Sequence, residues 1–169
     1  MKDFNPIQGG STVKTLLLFL VCLMMWLGLS DPSYALVRTI EEAPGQILVQ
    51  SRHQVRDQNR SVWQVLLFAR HQELQLRLVG FPDRYHFRYS DPLVLETISG
   101  AKFEAKNDFP RGETVTNVGQ FDLINLTQNL PKNQRLALTL PVQEGDIQLL
   151  IPSPVIREWE LVIQQQEKL

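Results

Sequence analysis

The stretch ILVQSRHQVRDQNRSVWQVLLFARHQELQLRLVGFPD, residues 47–83, decides the fold. Its first ten residues alternate with period two: Ile47, Val49, Ser51, His53 and Val55 share one face, and Gln50, Arg52, Gln54 and Arg56 share the other. Successive side chains of a strand point to opposite faces, so this is the pattern of a half-buried strand. Asp57, Gln58, Asn59 and Arg60 read as a polar turn. Val62 to Ala69 then carries apolar residues on both faces, Trp63, Val65 and Leu67 on one and Val62, Leu66 and Phe68 on the other. That pattern predicts a strand in the middle of a sheet, covered from both sides. Leu74, Leu76 and Leu78 alternate with Gln75 and Arg77 until Gly80, Phe81, Pro82 and Asp83 close the strand. Three consecutive strands on short loops make a meander.

Upstream of this stretch, Arg38 to Gln46 has turn chemistry and little periodicity, and reads as a short lead-in arm. Downstream, Tyr85 to Tyr89, Leu93 to Ser99 and Ala101 to Ala105 read as short strands, followed by a loop over Asn107 to Gly112. Val118 to Leu123 is one more strand, and Leu123 to Leu130 a helical turn stopped by Pro131. Leu136, Leu138 and Leu140, then Ile147, Leu149 and Ile151, alternate on either side of Gln143, Glu144 and Gly145, which predicts a hairpin. At the end Ser153 reads as a cap and Pro154 as the first helical residue. Val155, Ile156, Trp159, Val162 and Ile163 recur at helical spacing, so an amphipathic C-terminal helix is expected to pack on the domain's own sheet and close an open end or edge.

Strands arriving every 8–12 residues with turns between them predict a mainly β protein: an antiparallel β-sandwich of immunoglobulin-like architecture with a C-terminal amphipathic helix. The alternative is a small β-barrel with a helix, whose interior would suit a small apolar ligand.

The N-terminus carries a different signal. An apolar run of 14 residues, Leu16 to Leu29, is entered through Lys14 and closed by Ser33, Tyr34 and Ala35. A positive start, an apolar core and small residues at the first and third positions before a cut define a secretory signal peptide. Cleavage is expected between Ala35 and Leu36, giving a signal over 1–35 and one β-rich domain over 36–169. An uncleaved anchor would need roughly 18 or more apolar residues to cross the bilayer. Removing residues 1–35 takes away two lysines and two aspartates, so the charge stays at −1, and it removes Cys22, the one cysteine of the chain. A domain of this size buries about two-thirds of its unfolded surface, enough for a core without staples. With no cysteine left there is no disulfide, thiol nucleophile or thiolate metal ligand.

The charge balance gives no general basic excess for nucleic acid. Seven arginines, Arg52, Arg56, Arg60, Arg70, Arg77, Arg84 and Arg88, crowd the first half, either as a solvated strand face or as a basic face for an acidic partner. His53, His71 and His86 are too far apart for a local metal motif, and His53 on an inner strand face reads as a hydrogen-bonded histidine. No G-x-S-x-G occurs, and Ser51, Ser61, Ser90, Ser99 and Ser153 read as strand, turn or cap residues. The acidic pairs Glu41 with Glu42 and Glu158 with Glu160 do not converge. No catalytic residue, cofactor or metal site is therefore expected. The segment Arg84, Tyr85, His86, Phe87, Arg88 and Tyr89 interleaves aromatics with cations, which is the composition of protein interfaces and also of an ordinary core strand with a basic outer face.

Four segments together resemble a known family: Glu41 to Gln46 running into Gln50 to His53, Leu76 to Pro82, Asn117 to Leu123, and Arg157 to Trp159. The chain is similar to a cyanobacterial family of small exported proteins catalogued as a domain of unknown function. The resemblance implies a photosynthetic bacterial host and the thylakoid lumen or periplasm as destination; it assigns no site residues.

The function expected is that of a non-catalytic binding or accessory module contacting a protein complex or a membrane-protein ectodomain, through an exposed sheet edge or the arginine-rich face. Contact with a membrane would come through that partner. A carrier of a small apolar ligand in a barrel cavity, or a hydrolase using His53, are the alternatives.

Overall fold

The computed structural model describes residues 37–44, 46–110 and 115–168. The expected signal segment and its cut between Ala35 and Leu36 lie outside the described residues. Among the described residues nine strands and one α-helix follow in order: β1 (Arg38–Ala43), β2 (Gln46–Arg56), β3 (Val62–Arg70), β4 (Glu73–Val79), β5 (Leu93–Thr97), β6 (Lys102–Ala105), β7 (Val118–Asp122), β8 (Leu136–Leu140), β9 (Ile147–Ile151) and α1 (Ser153–Gln166). A 3₁₀ turn, Ile124–Leu126, follows β7.

Two antiparallel sheets form, one in the order β1-β2-β3-β4-β7 and one in the order β6-β5-β8-β9. The protein is thus a mainly β sandwich with a C-terminal helix, and the sheets do not close into a barrel. The likeness to immunoglobulin architecture holds at the level of two stacked antiparallel sheets. Four consecutive strands are neighbours here, whereas the immunoglobulin sandwich distributes its strands between layers.

Register fixes which side chains enter the core. Val55 pairs with Trp63, Ser51 with Leu67, and Leu67 with Leu76, so these residues share the inner face of the first sheet. Trp63, Val65, Leu67, Leu74, Leu76 and Leu78 are fully buried there, each worth about 1.5–3 kcal/mol of transfer free energy. Leu95, Leu138 and Leu149 face them from the second sheet, in one continuous core. Two ring systems seat on glycines. A Cβ on Gly80 would lie 2.7 Å from the Trp63 ring, and one on Gly119 would lie 2.7 Å from the Phe87 ring.

The helix docks on β2 and β3. It carries Val155, Ile156, Trp159 and Val162 into the core. As the apolar stripe predicts, it packs on the domain's own sheet, on the inner face of β2, where Ser51 and His53 reach its Glu158.

Several local readings change. Residues 38–43 are an edge strand, not an arm: β1 pairs with β2 from Arg38 opposite Gln50 to Ala43 opposite Gln46. Arg38, Thr39, Ile40 and Glu41 are all exposed, so no burial pattern marks the strand in sequence. Residues 85–89 run extended without joining a ladder. Their backbone bonds go to three different segments, Phe87 N–H to Thr116 O (2.9 Å), Arg88 N–H to Pro141 O (2.9 Å) and His86 O from Gln143 N–H (2.8 Å), leaving one isolated bridge between Phe87 and Val142. β3 is fully covered on its inner face only. On the other, Val62, Gln64 and Leu66 are half-buried, and Phe68 is roofed by the Arg70 and Arg77 guanidinium groups at 5.8 and 5.3 Å from its ring centre. Arginine stems and cation–π contacts supply cover that a second layer would otherwise give. Ser153 is not the cap: Pro152 holds that position, its carbonyl accepting from Val155 N–H at 3.0 Å, with no side-chain cap bond.

Candidate functional site

The aromatics of residues 84–89 belong mainly to the core. Tyr85 and Phe87 are buried, the Tyr85 ring 4.7 Å from Trp63 and the Phe87 ring 6.0 Å from both Trp63 and Phe121. Tyr89, expected on the same face, is exposed; it stacks on Phe109 at 5.4 Å and donates to Val115 O at 2.6 Å. Partial burial raises its phenol pKa. The polar members clasp the β8–β9 turn. His86 Nδ1 lies 2.5 Å from Glu144 Oε1, and His86 N–H donates to Glu144 Oε2 at 3.1 Å. Arg88 donates to Asp91 (2.7 Å), to Asp146 (2.6 Å) and to Val142 O. Hydrogen bonds first to Asp91 and then to Asp146 raise the Arg88 pKa, and the Arg88 bond, then that of Ser90, lowers the Asp91 pKa. Desolvation pushes the Glu144 carboxyl up, but its hydrogen bonds with His86 outweigh this and its pKa is lowered. Arg84 alone of the cations here extends outward, over the Tyr85 ring at 5.5 Å. This segment is largely spent on holding the fold.

A second cluster joins three residues that sequence spacing kept apart. Ser51 Oγ donates to Glu158 Oε2 at 3.0 Å, His53 Nε2 lies 2.6 Å from the same oxygen, and Nε2 lies 3.1 Å from Ser51 Oγ. Serine, histidine and carboxylate in contact suggest a hydrolytic triad. A working triad, however, places the hydroxyl on one imidazole nitrogen and the carboxylate on the other, so that the ring relays a proton. Here both converge on Nε2, and Ser51 is fully buried. The arrangement is a hydrogen-bonded tie between β2 and α1. The sequence signalled His53 on an inner face but gave no hint that Glu158 would meet it across 105 residues.

Asp57, read in sequence as a turn residue, is a buried carboxylate. Its Oδ1 accepts from Asn59 N–H (2.8 Å) and Ser61 N–H (2.9 Å), and its Oδ2 from Trp63 Nε1–H (2.9 Å). Tyr85 OH donates to Ser61 Oγ at 2.8 Å and closes the network. Among the described residues no group of three His, Cys, Asp or Glu is placed to hold a metal, and no helix is long and apolar enough to cross a membrane.

The structure sorts the crowded arginines by strand parity. Register places Arg38, Arg52, Arg56, Arg70 and Arg77 on the outer face of the five-stranded sheet, with Arg60 in the β2–β3 turn and Arg84 and Arg88 elsewhere. Gln50, Gln54, Gln64, Gln75 and Gln120 share that face with the buried Leu48 and Phe68; Gln75 and Gln120 are buried too, and Gln75 Nε2 donates to Asp108 Oδ2 at 2.8 Å. Arg52 Nη2 donates to Gln64 Oε1 at 3.0 Å; Arg77 Nε and Nη2 donate to Gln120 Oε1 at 3.0 and 2.6 Å. Both cations are thus held by neutral acceptors. The sheet edges also differ. β7 is flanked by residues 106–108, with Asp108 N–H to Gln120 O at 2.8 Å; β9 is flanked by Asp57 and Gln58; β6 has four residues.

A family model described as "Protein of unknown function (DUF3122)" matches residues 35–162, and the chain belongs to that family. Among curated proteins and among solved structures, no match to the chain was found.

Proposed function

We propose that this protein is a non-catalytic binding or accessory module, exported to the thylakoid lumen or periplasm of a photosynthetic bacterium, that docks on a protein complex or a membrane-protein ectodomain. The observation that carries this reading is the outer face of the five-stranded sheet. Over β2 and β3 it is arrayed with arginine and glutamine above a recessed apolar floor, and toward β4 and β7 it is covered in part by Asp108, which accepts from the buried Gln75 at 2.8 Å. Arginine-rich surface with apolar ground beneath is the composition of protein contacts. The closed Ser51–His53–Glu158 tie supports binding over hydrolysis, since its hydroxyl offers a substrate no approach. The N-terminal run Leu16 to Leu29 and the small residues Ser33 and Ala35 support export.

The test is photo-crosslinking in the native host from residues placed at Gln54 and at Gln148, the latter on the other sheet. A discrete adduct from position 54 and none from 148 is expected. Repeated recovery as a lone soluble monomer with no adduct refutes the reading. N-terminal sequencing of the same material should begin at or next to Leu36; an intact Met1 refutes the export signal.

A further inference from the structure

We propose that the partner is an acidic protein surface that seats carboxylates on Arg52 and Arg77, to either side of Leu66; this rests on the binding-module reading above. Arg52, Leu66 and Arg77 lie in register across β2, β3 and β4. With neighbouring strands about 4.8 Å apart, the row carries two cations about 10 Å apart with an apolar residue between them. Each guanidinium is already oriented, Arg52 by Gln64 and Arg77 by Gln120 and the Phe68 ring. An amide oxygen or a ring face fixes the group without neutralising it, so the charge and the remaining N–H donors stay available. A carboxylate meeting such a fork makes two parallel bonds and finds much of the side-chain ordering done.

The charge pattern of the whole face agrees. Its register rows carry five arginines against two acids, Glu73 and Asp122, and Asp108 reaches the face at Gln75, on a protein whose overall charge is −1. The basic character is therefore local, and it complements an acidic patch. A lipid surface fits less well, because membrane binding draws on inserted apolar groups. Apart from Ile40 at its margin, this face has none: the exposed Phe81, Ile98, Leu150 and Leu161 lie on a loop, a hairpin tip, the other sheet and the helix. A nucleic acid backbone would favour uniform cations over arginines interleaved with glutamines, whose amides both donate and accept as a polypeptide does.

The experiment uses the processed exported protein and a synthetic peptide of alternating glutamate and leucine, with its glutamine isostere as control, followed by fluorescence anisotropy at low and high salt. The acidic peptide should bind, more weakly as salt rises, and the isostere should not. Arg52→Gln with Arg77→Gln should weaken binding about tenfold, roughly threefold for each exposed charge pair. The charge-matched pair Arg84→Gln with Arg135→Gln should leave it within about twofold, and circular dichroism should show both variants folded. Absence of peptide binding, equal weakening by both pairs, or tighter binding to phosphatidylglycerol vesicles or an oligonucleotide overturns the proposal. Repeating the position-54 crosslink in the Arg52→Gln, Arg77→Gln background separates the two ideas. An adduct that persists there sinks the arginine row and leaves the binding module standing, whereas no adduct in the parent protein sinks the module itself.

Discussion

Replacing Asp57 with asparagine should be among the most damaging single polar changes in the domain, even though it removes no atom from the core. Asp57 Oδ1 already serves two backbone N–H groups, of Asn59 and Ser61, and an asparagine oxygen can take over that role. Its amide nitrogen would then stand where Oδ2 accepts from Trp63 Nε1–H at 2.9 Å, setting donor against donor. The indole is fully buried and has no water to turn to. Losing a charge-assisted bond while stranding a buried donor should destabilise by about 3 kcal/mol. Urea unfolding followed by tryptophan fluorescence measures this directly, and the melting temperature should fall by about 10 °C. A double-mutant cycle isolates the cause: in a Trp63→Phe background, which has no indole donor, Asp57→Asn should cost roughly 1 kcal/mol or less. If Asp57→Asn lies within about 0.5 kcal/mol of the parent protein, or costs as much with phenylalanine at 63 as with tryptophan, the buried network does not act as described.

Gly119→Ala should destabilise by about 1–3 kcal/mol in thermal unfolding, because the new methyl would sit 2.7 Å from the Phe87 ring and 2.9 Å from the Phe121 ring. The lowered pKa values of Asp91 and Glu144 set the sign of a pH effect. Their ionised forms are favoured in the folded state, so the stability they add is complete above their ordinary values of 3.8 and 4.5 and is lost as pH falls through the folded values. Asp91→Asn with Glu144→Gln should flatten the acid limb of the stability profile below about pH 5, and an unchanged limb would contradict the assignment. Glu158→Leu should cost about 1–3 kcal/mol and loosen α1 from β2, since it removes the acceptor that Ser51 and His53 share across the two elements. Hydrogen exchange should then quicken across residues 153–166 more than in β8, whereas uniform quickening would mean that the tie does not anchor the helix.

The elements that sequence revealed are those in which one face is buried and the other wet. Leu74, Leu76 and Leu78, or Ile147, Leu149 and Ile151, declare their strand and its inner side without any partner in view, because the pleat has a period of two. β1 is invisible for the opposite reason: the side chains of Arg38, Thr39, Ile40 and Glu41 are exposed, and it is a strand through main-chain bonds to β2. Residues 85–89 mislead because Tyr85 and Phe87 alternate like strand residues while their backbone bonds scatter to three segments. Ambiguity also attended the arginines, whose crowding is plain in the chain but whose sorting into one face needs the register of four strands.

By itself the amino-acid sequence determined the mainly β body, most strand positions and the apolar stripe of the helix, since each depends on composition or on neighbours a few residues away. Tertiary structure alone decided that Glu158 meets Ser51 and His53, that Asp57 accepts from Trp63, that His86 and Arg88 are engaged by Glu144, Asp91 and Asp146, and that Arg52 and Arg77 share one sheet face, held by Gln64 and Gln120. Most of these contacts join groups far apart in the chain, and which donor finds which acceptor is fixed only when the sheets stack and the helix docks.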